Sequence, residues 1–209
     1  MILLPKFYPI LDTEVALRRG IDPVNAARQI LDAGARILQF RHKAFLSREA
    51  FGWLEEIATL TQAAGAMLVV NDRADLAKLF DAALHLGQDD LPPSAARRVV
   101  GPDTMVGFST HNEAQLRAAN QEPADYLALG PLFGTVTKEN PDPTVGLDDF
   151  RRLRPLSRRP LVAIGGITRA NALQALDAGA DSLAVIGDLF PEDGNVSSRI
   201  REWLRLLSA

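Results

Sequence analysis

The sequence predicts an α/β protein built as a (β/α)8 TIM barrel. Three observations favour this fold: short apolar segments recur along the chain, amphipathic segments separate them, and the tripeptide Ala-Gly-Ala repeatedly stands between the two kinds of segment. The 209 residues are enough for one sizeable core and few for two. We therefore expect a single domain over residues 1–209, with a doubly wound open sheet as the competing arrangement.

The repeats place helices and strands in alternation. A glycine just past a helix end can adopt the left-handed backbone conformation that closes the helix, and Ala-Gly-Ala occurs at 33–35, 64–66 and 178–180. Several of the following segments are apolar throughout, as expected for strands covered on both faces. The predicted strands span residues 6–11, 37–41, 67–71, 83–86, 105–109, 126–129, 161–164 and 182–186.

Composition narrows the classes of function. The chain has no cysteine, which excludes disulfides and thiolate chemistry and suits a reducing cytoplasm. The net charge of −3 gives no general reason to bind nucleic acid. The N-terminal stretch is interrupted by Pro5, Lys6 and Pro9, so it does not predict a signal peptide, and no apolar run predicts a membrane span. We expect a cytoplasmic protein without nucleic-acid or membrane partners; a homodimer stays open.

Polar residues follow the predicted strands, where a TIM barrel carries its active site. Asp72, with either Asp89 or Asp90, would supply carboxylate oxygens from neighbouring strands, and these suit Mg²⁺ held together with substrate phosphates. Arg41, Lys43 and Lys138 would supply positive charge for a phosphate chain. Backbone N–H groups at 165–166 and 186–187 predict a second, metal-free phosphate site after strands seven and eight.

The acidic candidates, and other polar residues near the strand ends, also have structural interpretations. Asp72 could cap the next helix, and Asp89 and Asp90 could stabilise a turn before Pro92. Arg73 is typical of a solvated loop charge, and His85 of a packed, hydrogen-bonded histidine. His111 could cap a helix. The arginine-rich run 151–159 could suggest a nucleic-acid patch, but it bridges a helix and a loop in an acidic protein, which disfavours that interpretation. Placement on successive strand ends is what favours function.

The motifs together resemble those of the thiamine-phosphate synthase family, nearly from end to end of the chain. The family's Gln-x-Arg-x-Lys corresponds to residues 39–43 and its Asn-Asp to residues 71–72. Its His-x-Gly-Gln-[Glu/Asp]-Asp corresponds to residues 85–90, and its Gly-x-Ser-x-His to residues 107–111. The remaining matches are Gly-Pro-[Ile/Val/Leu]-Phe-x-Thr-x-Thr-Lys at 130–138 and Ile-Gly-Gly-Ile at 164–167.

The resemblance implies a TIM-barrel transferase that joins 4-amino-2-methyl-5-hydroxymethylpyrimidine diphosphate to a thiazole phosphate, releasing diphosphate and forming thiamine phosphate. It implies Mg²⁺ on Asp72 and Asp90, and a catalytic set of Arg41, Lys43, Ser109 and Lys138. The pyrimidine substrate would be held by Gln39, Phe40, Arg41, His42, Lys43, Asn71, Ser109 and Lys138. The thiazole phosphate would be held by Thr135, Val136, Thr137, Gly166, Ile186 and Gly187.

The sequence departs from the family pattern at a few positions. Leu11 stands where a threonine is common, so the pocket near it is expected to differ; Gly134 replaces a common proline, and Gly187 replaces a serine. Three rival functions share or approach the pattern: a thiazole tautomerase, for which His111 would matter, a phosphate-ligand sensor, and a phosphosugar epimerase. The complete set of diphosphate-handling residues favours the synthase over all three.

Overall fold

The computed structural model describes residues 4–134 and 142–208. Within them, eight parallel strands pair in chain order and close into a barrel. Closure is made by the first and last strands, where Phe7 lies opposite Leu183. The TIM-barrel prediction is therefore confirmed, and the open sheet is wrong. The strands are β1 (Phe7–Asp12), β2 (Ile37–Arg41), β3 (Met67–Asn71), β4 (Ala83–Leu86), β5 (Val106–Thr110), β6 (Tyr126–Leu129), β7 (Leu161–Ile164) and β8 (Ser182–Val185).

Helices follow the strands and cover the outside of the barrel. In the described part of the chain they are α1 (Thr13–Arg18), α2 (Pro23–Asp32), α3 (Arg48–Ala63), α4 (Ala74–Leu79), α5 (Pro93–Val100), α6 (Glu113–Ala119), α7 (Gly146–Leu153), α8 (Ala172–Asp177) and α9 (Val196–Ser208). Short 3₁₀ turns occupy Arg154–Leu156 and Gly187–Leu189.

The Ala-Gly-Ala tripeptides close α2, α3 and α8. Gly34, Gly65 and Gly179 have φ angles of 108°, 59° and 101°, in the left-handed region that glycine adopts without a steric penalty. In α2, the N–H group of Ala35 donates to the carbonyl of Ile30, which is the bond of a Schellman closure. The repeat therefore marks helix ends, as predicted from the sequence.

The boundaries of three strands differ slightly from the prediction. β1 and β5 lie one residue later than expected, and β8 ends one residue earlier. β1 extends to Asp12 because this residue still pairs with Arg41 of β2 before its side chain caps α1. β8 stops at Val185 because Ile186 already has the backbone conformation of the following turn.

Side chains on the strands alternate between two apolar layers. One set fills the barrel interior and includes Tyr8, Ile10, Val69 and Tyr126. The other set packs against the helices and includes Leu11, Phe40 and Phe108. This period-two alternation decides which residues near a strand end can reach the open mouth of the barrel.

No helix in residues 4–134 and 142–208 combines the length and the apolar character needed to cross a bilayer.

The helix layer should dominate stability. Leu54 of α3 is fully buried against the barrel, so Leu54→Ala is expected to lower the free energy of unfolding by roughly 2–5 kcal/mol in urea denaturation. Leu79→Ala, at the end of α4 where the side chain is 63% exposed, is the matched control and should cost less than about 0.5 kcal/mol. Equal losses would contradict the assignment of the core.

Candidate active site

One large cavity opens at the C-terminal ends of the strands. Its volume is about 660 Å³, which is in the range of small-molecule sites. Inward-facing residues of several strands form its floor, and residues of the loops that follow the strands form its rim. The lining includes Ile10, Gln39, Arg41, Lys43, Asn71, Asp72, His85, Gln88, Asp89, Asp90, Ser109, His111, Gly130, Ile164, Gly165, Gly166, Ala184, Ile186 and Gly187.

Most of the predicted site residues meet in this cavity. The set drawn from the sequence that lines it comprises Gln39, Arg41, Lys43, Asn71, Asp72, Asp90, Ser109, Gly166, Ile186 and Gly187. They come from six different strand ends, so only closure of the barrel brings them together. Four further predicted residues, Thr135, Val136, Thr137 and Lys138, lie outside the described residues.

Phe40 and His42 are not brought to the cavity. Phe40 is buried in the layer between strands and helices. The His42 ring lies near Phe40, with 6.3 Å between ring centroids, and its Nδ1 is 2.7 Å from the hydroxyl of Thr13. Both side chains therefore face away from the substrate cavity, because they alternate with Gln39, Arg41 and Lys43, which line it.

The expected change in the pocket near Leu11 is also not found. Leu11 is fully buried in the outer apolar layer, whereas its neighbour Ile10 lines the cavity. A leucine or a threonine at this position would contact the helices rather than a ligand. The expectation was wrong because it ignored the alternation along β1.

Two carboxylates and an ammonium group meet at the ends of β3 and β4. The carboxyl groups of Asp72 and Asp90 are hydrogen-bonded to each other, and Lys43 forms an ion pair with Asp72. Burial raises the pKa of Asp72 from 3.8 to about 6; the hydrogen bond to Asp90 raises it further, and Lys43 acts in the opposite direction. Without a cation nearby, Asp72 therefore binds a proton at a higher pH than an exposed aspartate does, near pH 6.

The backbone at Asp72 argues against a capping role. Its φ angle is +65°, in a region that residues other than glycine seldom adopt. The next helix, α4, begins at Ala74 with Arg73 as its N-cap, and no side chain caps it. The left-handed turn instead directs the carboxylate towards Lys43 and Asp90.

The structure distinguishes Asp90 from Asp89. Asp90 interacts with Asp72 and also accepts a hydrogen bond of 2.7 Å from the N–H group of Gly87. Asp89 lines the cavity but is exposed. Turn stabilisation and pairing with Asp72 are therefore both performed by Asp90.

The donor set fits a hard divalent cation. Asp72 and Asp90 offer carboxylate oxygens, and the repulsion between their charges, which adds to the effect of burial on the pKa of Asp72, would be relieved by such an ion. No group of three or more His, Cys, Asp or Glu side chains suited to a metal occurs in residues 4–134 and 142–208. Mg²⁺ does not require one, since it is commonly held by one or two carboxylates plus substrate phosphates.

Asn71 supplies an independent sign of a missing ligand. Its side-chain Nδ2 is buried and has no hydrogen-bond partner among the described atoms. A buried, unpaired donor costs free energy unless a partner is supplied. Because Asn71 lines the cavity beside Asp72, an acceptor from a bound ligand would satisfy it.

The cationic residues at the rim are held by carboxylates. Arg41 forms an ion pair with Asp12, whose side chain is almost fully buried. The Asp12 carboxylate also accepts a hydrogen bond of 3.0 Å from the N–H group of Val15, at the start of α1. Asp12 thus fixes the guanidinium at the mouth of the barrel. Sequence reasoning gave Asp12 no role, although its position two residues after Ile10 places it on the inward-facing side of β1.

Glycine loops line the opposite side of the cavity. The N–H groups of Gly166, after β7, and Gly187, after β8, make no hydrogen bond to other described residues. A Cβ atom at Gly166 would lie 2.5 Å from the carbonyl oxygen of Gly134, whereas at Gly187 it would meet nothing within 4 Å. Free N–H groups at this end of a barrel suit a phosphate.

The remaining candidates have distinct environments. Arg73 pairs with exposed Asp75, 2.8 Å from its Nε, as a loop charge would. His85 is buried and fully hydrogen-bonded, and burial lowers its pKa to about 4, so the ring is neutral. The Nδ1 of His111 lies 2.7 Å from the carbonyl oxygen of Gly130, and α6 is capped by Asn112 instead. The capping interpretation of His111 is therefore wrong.

Comparison with known proteins identifies the family. A sequence model described as thiamine monophosphate synthase matches residues 7–189. The chain belongs to this family. It is 44% identical to a thiamine-phosphate synthase from Koribacter versatilis over 98% of this chain and 96% of that one. A thiamine-phosphate synthase from Chloroflexus aurantiacus is 38% identical over 94% of this chain and 90% of that one.

A solved structure agrees with the sequence relatives. The thiamine phosphate pyrophosphorylase from Pyrococcus furiosus superposes with a TM-score of 0.84 and 30% identity, covering 97% of this chain and 95% of that one. The described barrel is therefore the fold of a solved thiamine phosphate pyrophosphorylase, and the chain spans nearly the whole length of these relatives.

The interaction between Asp72 and Asp90 can be tested by measuring the pKa of Asp72. In the metal-free protein, carbon NMR of the Asp72 carboxyl should give a pKa of about 6. Asp90→Asn removes the like charge and leaves an amide that can donate to Asp72, so the Asp72 pKa should fall. Asp89→Asn is the control and should leave it unchanged. A shift with Asp89→Asn alone would reassign the pair.

Proposed function

We propose that the protein joins 4-amino-2-methyl-5-hydroxymethylpyrimidine diphosphate to a thiazole phosphate, releasing diphosphate and forming thiamine phosphate. Membership of the thiamine monophosphate synthase family supports a transferase of thiamine biosynthesis. The structural observation that carries the proposal is one cavity with paired carboxylates and two cations on one side and free N–H groups on the other. This arrangement suits two phosphorylated ligands.

The diphosphate end of the pyrimidine substrate is assigned to the rim of β2, β3 and β4. Arg41 and Lys43 neutralise its charge, and Asn71 donates its unpaired Nδ2 to a phosphate oxygen. Asp72 and Asp90 would hold Mg²⁺. When bound, that ion would supply positive charge to the phosphate oxygens of the leaving group.

The bond change requires little acid–base chemistry from the protein. The bond between the methylene carbon and the diphosphate oxygen breaks, and the thiazole nitrogen forms the new bond to that carbon. The nitrogen already has a free electron pair, so no strong base is needed. This agrees with a neutral His85 whose two ring nitrogens are both engaged in hydrogen bonds. The residues act mainly by placing charge where the leaving group develops it.

The thiazole phosphate is assigned to the opposite rim. Gly166 and Gly187 offer N–H groups, and Ile186 offers an apolar edge to the thiazole ring. By the family resemblance, Thr135, Val136, Thr137 and Lys138 complete this side; they lie outside the described residues. Any substrate contact of Phe40 or His42 would be made by the main chain, since their side chains face the helices.

Other functions receive less support. The relatives compared above are named as synthases or as a pyrophosphorylase, and this does not support the tautomerase alternative. His111, the residue that a tautomerase would use, lies 2.7 Å from the Gly130 carbonyl oxygen and also contacts Asp142.

A cytoplasmic location, a homodimer, and the absence of nucleic-acid and membrane partners remain predictions from the sequence.

A direct assay tests the proposal. The purified protein is mixed with both phosphorylated substrates, with and without Mg²⁺, and thiamine phosphate and diphosphate are followed together. Equal formation of both products, lost on chelation and restored by Mg²⁺, is expected. Isomerisation of a thiazole tautomer without either product would contradict the synthase.

Asp72→Ala tests the metal assignment. We expect turnover to fall by at least about a thousandfold with little change in melting temperature, because the change removes a proposed cation ligand from a strained turn. Asp89→Ala is the matched control, an exposed carboxylate on the same rim, and should retain activity within a fewfold. Near-normal turnover of Asp72→Ala would remove Asp72 from the site.

Gly187→Ser tests the second phosphate site. A Cβ atom at Gly187 meets no atom within 4 Å, so the added hydroxyl has room to donate to the phosphate. The KM for the thiazole phosphate should fall or stay unchanged, while the KM for the pyrimidine diphosphate should not move. A marked rise in the former would show that this loop does not face the phosphate.

A further inference from the structure

A buried chain of hydrogen bonds connects two substrate-facing residues through the barrel interior. Gln39 of β2 donates from Nε2 to the Tyr8 hydroxyl at 2.9 Å, and this hydroxyl lies 2.8 Å from that of Tyr126. The Tyr126 hydroxyl lies 2.9 Å from Nδ1 of His85, whose Nε2 lies 2.8 Å from the Ser109 hydroxyl. Both ends of the chain, Gln39 and Ser109, line the cavity.

The two tyrosines in the middle of this chain of hydrogen bonds are not exposed to solvent. Tyr8 is 1% exposed and Tyr126 is fully buried. Among the described residues, each tyrosine hydroxyl has only the two partners given above. A buried hydroxyl that leaves its proton without an acceptor is costly, so each proton must point along the chain.

These constraints give the chain one direction. Because Tyr8 accepts from the Gln39 amide, its own proton goes to Tyr126, and the Tyr126 proton then goes to Nδ1 of His85. With Nδ1 accepting, the proton of the ring is on Nε2 and is donated to Ser109. The Ser109 hydroxyl proton is then free to point into the cavity, and the Gln39 carbonyl oxygen faces the cavity as an acceptor.

Gly107 shows that the barrel makes room for this chain. A Cβ atom at Gly107 would lie 2.0 Å from the Tyr126 ring, which no side chain could tolerate. Gly107 lies two residues before Ser109 and faces the same side of β5. The glycine and serine of one motif therefore serve the same chain: one leaves space for Tyr126, and the other receives its end.

We propose that Tyr8, Tyr126 and His85 are positioning residues, forming a one-way chain that locks Gln39 as a hydrogen-bond acceptor and Ser109 as a donor. The inference rests on the proposed function, in which both residues face the pyrimidine substrate. The chain thereby selects a ring that carries an amino group opposite Gln39. A ring with a carbonyl oxygen there would meet the Gln39 carbonyl oxygen, and the amide can turn over only if every hydrogen bond of the chain reverses its direction, including the tautomer of His85.

The direction of the chain is tested first, without activity. The protein has three histidines, so multiple-bond nitrogen–proton NMR of the histidine-labelled protein resolves each tautomer. His85, assigned by elimination in His42→Gln and His111→Gln, should carry its proton on Nε2, with Nδ1 unprotonated. A proton on Nδ1 would mean that the chain runs from Ser109 to Gln39, and would overturn the proposal.

Selectivity is tested by breaking the chain in the middle. Tyr126→Phe removes one hydroxyl and keeps the ring. The wild type should prefer the aminopyrimidine diphosphate over its 4-oxo analogue, and Tyr126→Phe should reduce that preference in kcat/KM by about tenfold. The KM for the aminopyrimidine diphosphate should rise about tenfold, while the KM for the thiazole phosphate stays the same.

Thr110→Val is the matched control. It also removes a buried hydroxyl next to Ser109, one that donates to the Ala128 carbonyl oxygen at 2.8 Å and is not part of the chain of hydrogen bonds. It should lower the melting temperature without changing the preference between the two pyrimidines. If Tyr126→Phe and Thr110→Val change the preference in kcat/KM equally, the chain of hydrogen bonds has only a structural role. If the wild type has no synthase activity, the proposed function is refuted. The tautomer of His85 would still show in which direction the chain of hydrogen bonds runs.

Discussion

Side chains on the eight strands alternate between the barrel interior and the helix layer, and this alternation decides which residues of each motif reach the cavity. On β2 it sends Gln39 and Arg41 inward and Phe40 outward. A shift of one residue in register would exchange the two sets. Because the barrel is closed, every strand is held by two neighbours, so no strand can slip without disturbing the whole ring.

The cations Arg41 and Lys43 at the rim are paired with carboxylates of the protein before any substrate arrives. Asp12 holds Arg41, and Lys43 holds Asp72, which in turn shares a hydrogen bond with Asp90. These pairs orient the cations and keep the mouth of the barrel ordered. A phosphorylated ligand with its cation would offer Lys43 a new partner and separate the two carboxylates electrostatically. The raised pKa of Asp72 comes first from burial of its carboxyl group and then from the neighbouring Asp90.

The sequence allowed the fold and most of the site to be predicted because both depend on local patterns. The alternation of helices and strands and the Ala-Gly-Ala closures indicated the barrel, and the strand ends indicated the rim. Phe40, His42 and Leu11 were taken from motifs without regard to the period of two along a strand, and their side chains do not line the cavity. Applying that period would have placed these three side chains outside the cavity and Asp12 inside.

Other features depend on contacts that no local pattern shows. Tyr8 and Tyr126 are 118 residues apart, and their hydroxyls meet only because the strands close into a ring. The choice between Asp89 and Asp90 depended on the turn after β4, where Asp90 bonds the Gly87 N–H group. The unpaired Nδ2 of Asn71 depends on packing around the end of β3.

We propose that the paired carboxylates and cations at this rim bind diphosphate together with Mg²⁺. Calorimetric titration with inorganic diphosphate, with and without Mg²⁺, measures this binding without the thiazole substrate. Binding should be much tighter with Mg²⁺ and should release protons to solvent near pH 6, because Asp72 must lose its proton to bind the cation. Equal affinity with and without Mg²⁺, and no proton release, would contradict it.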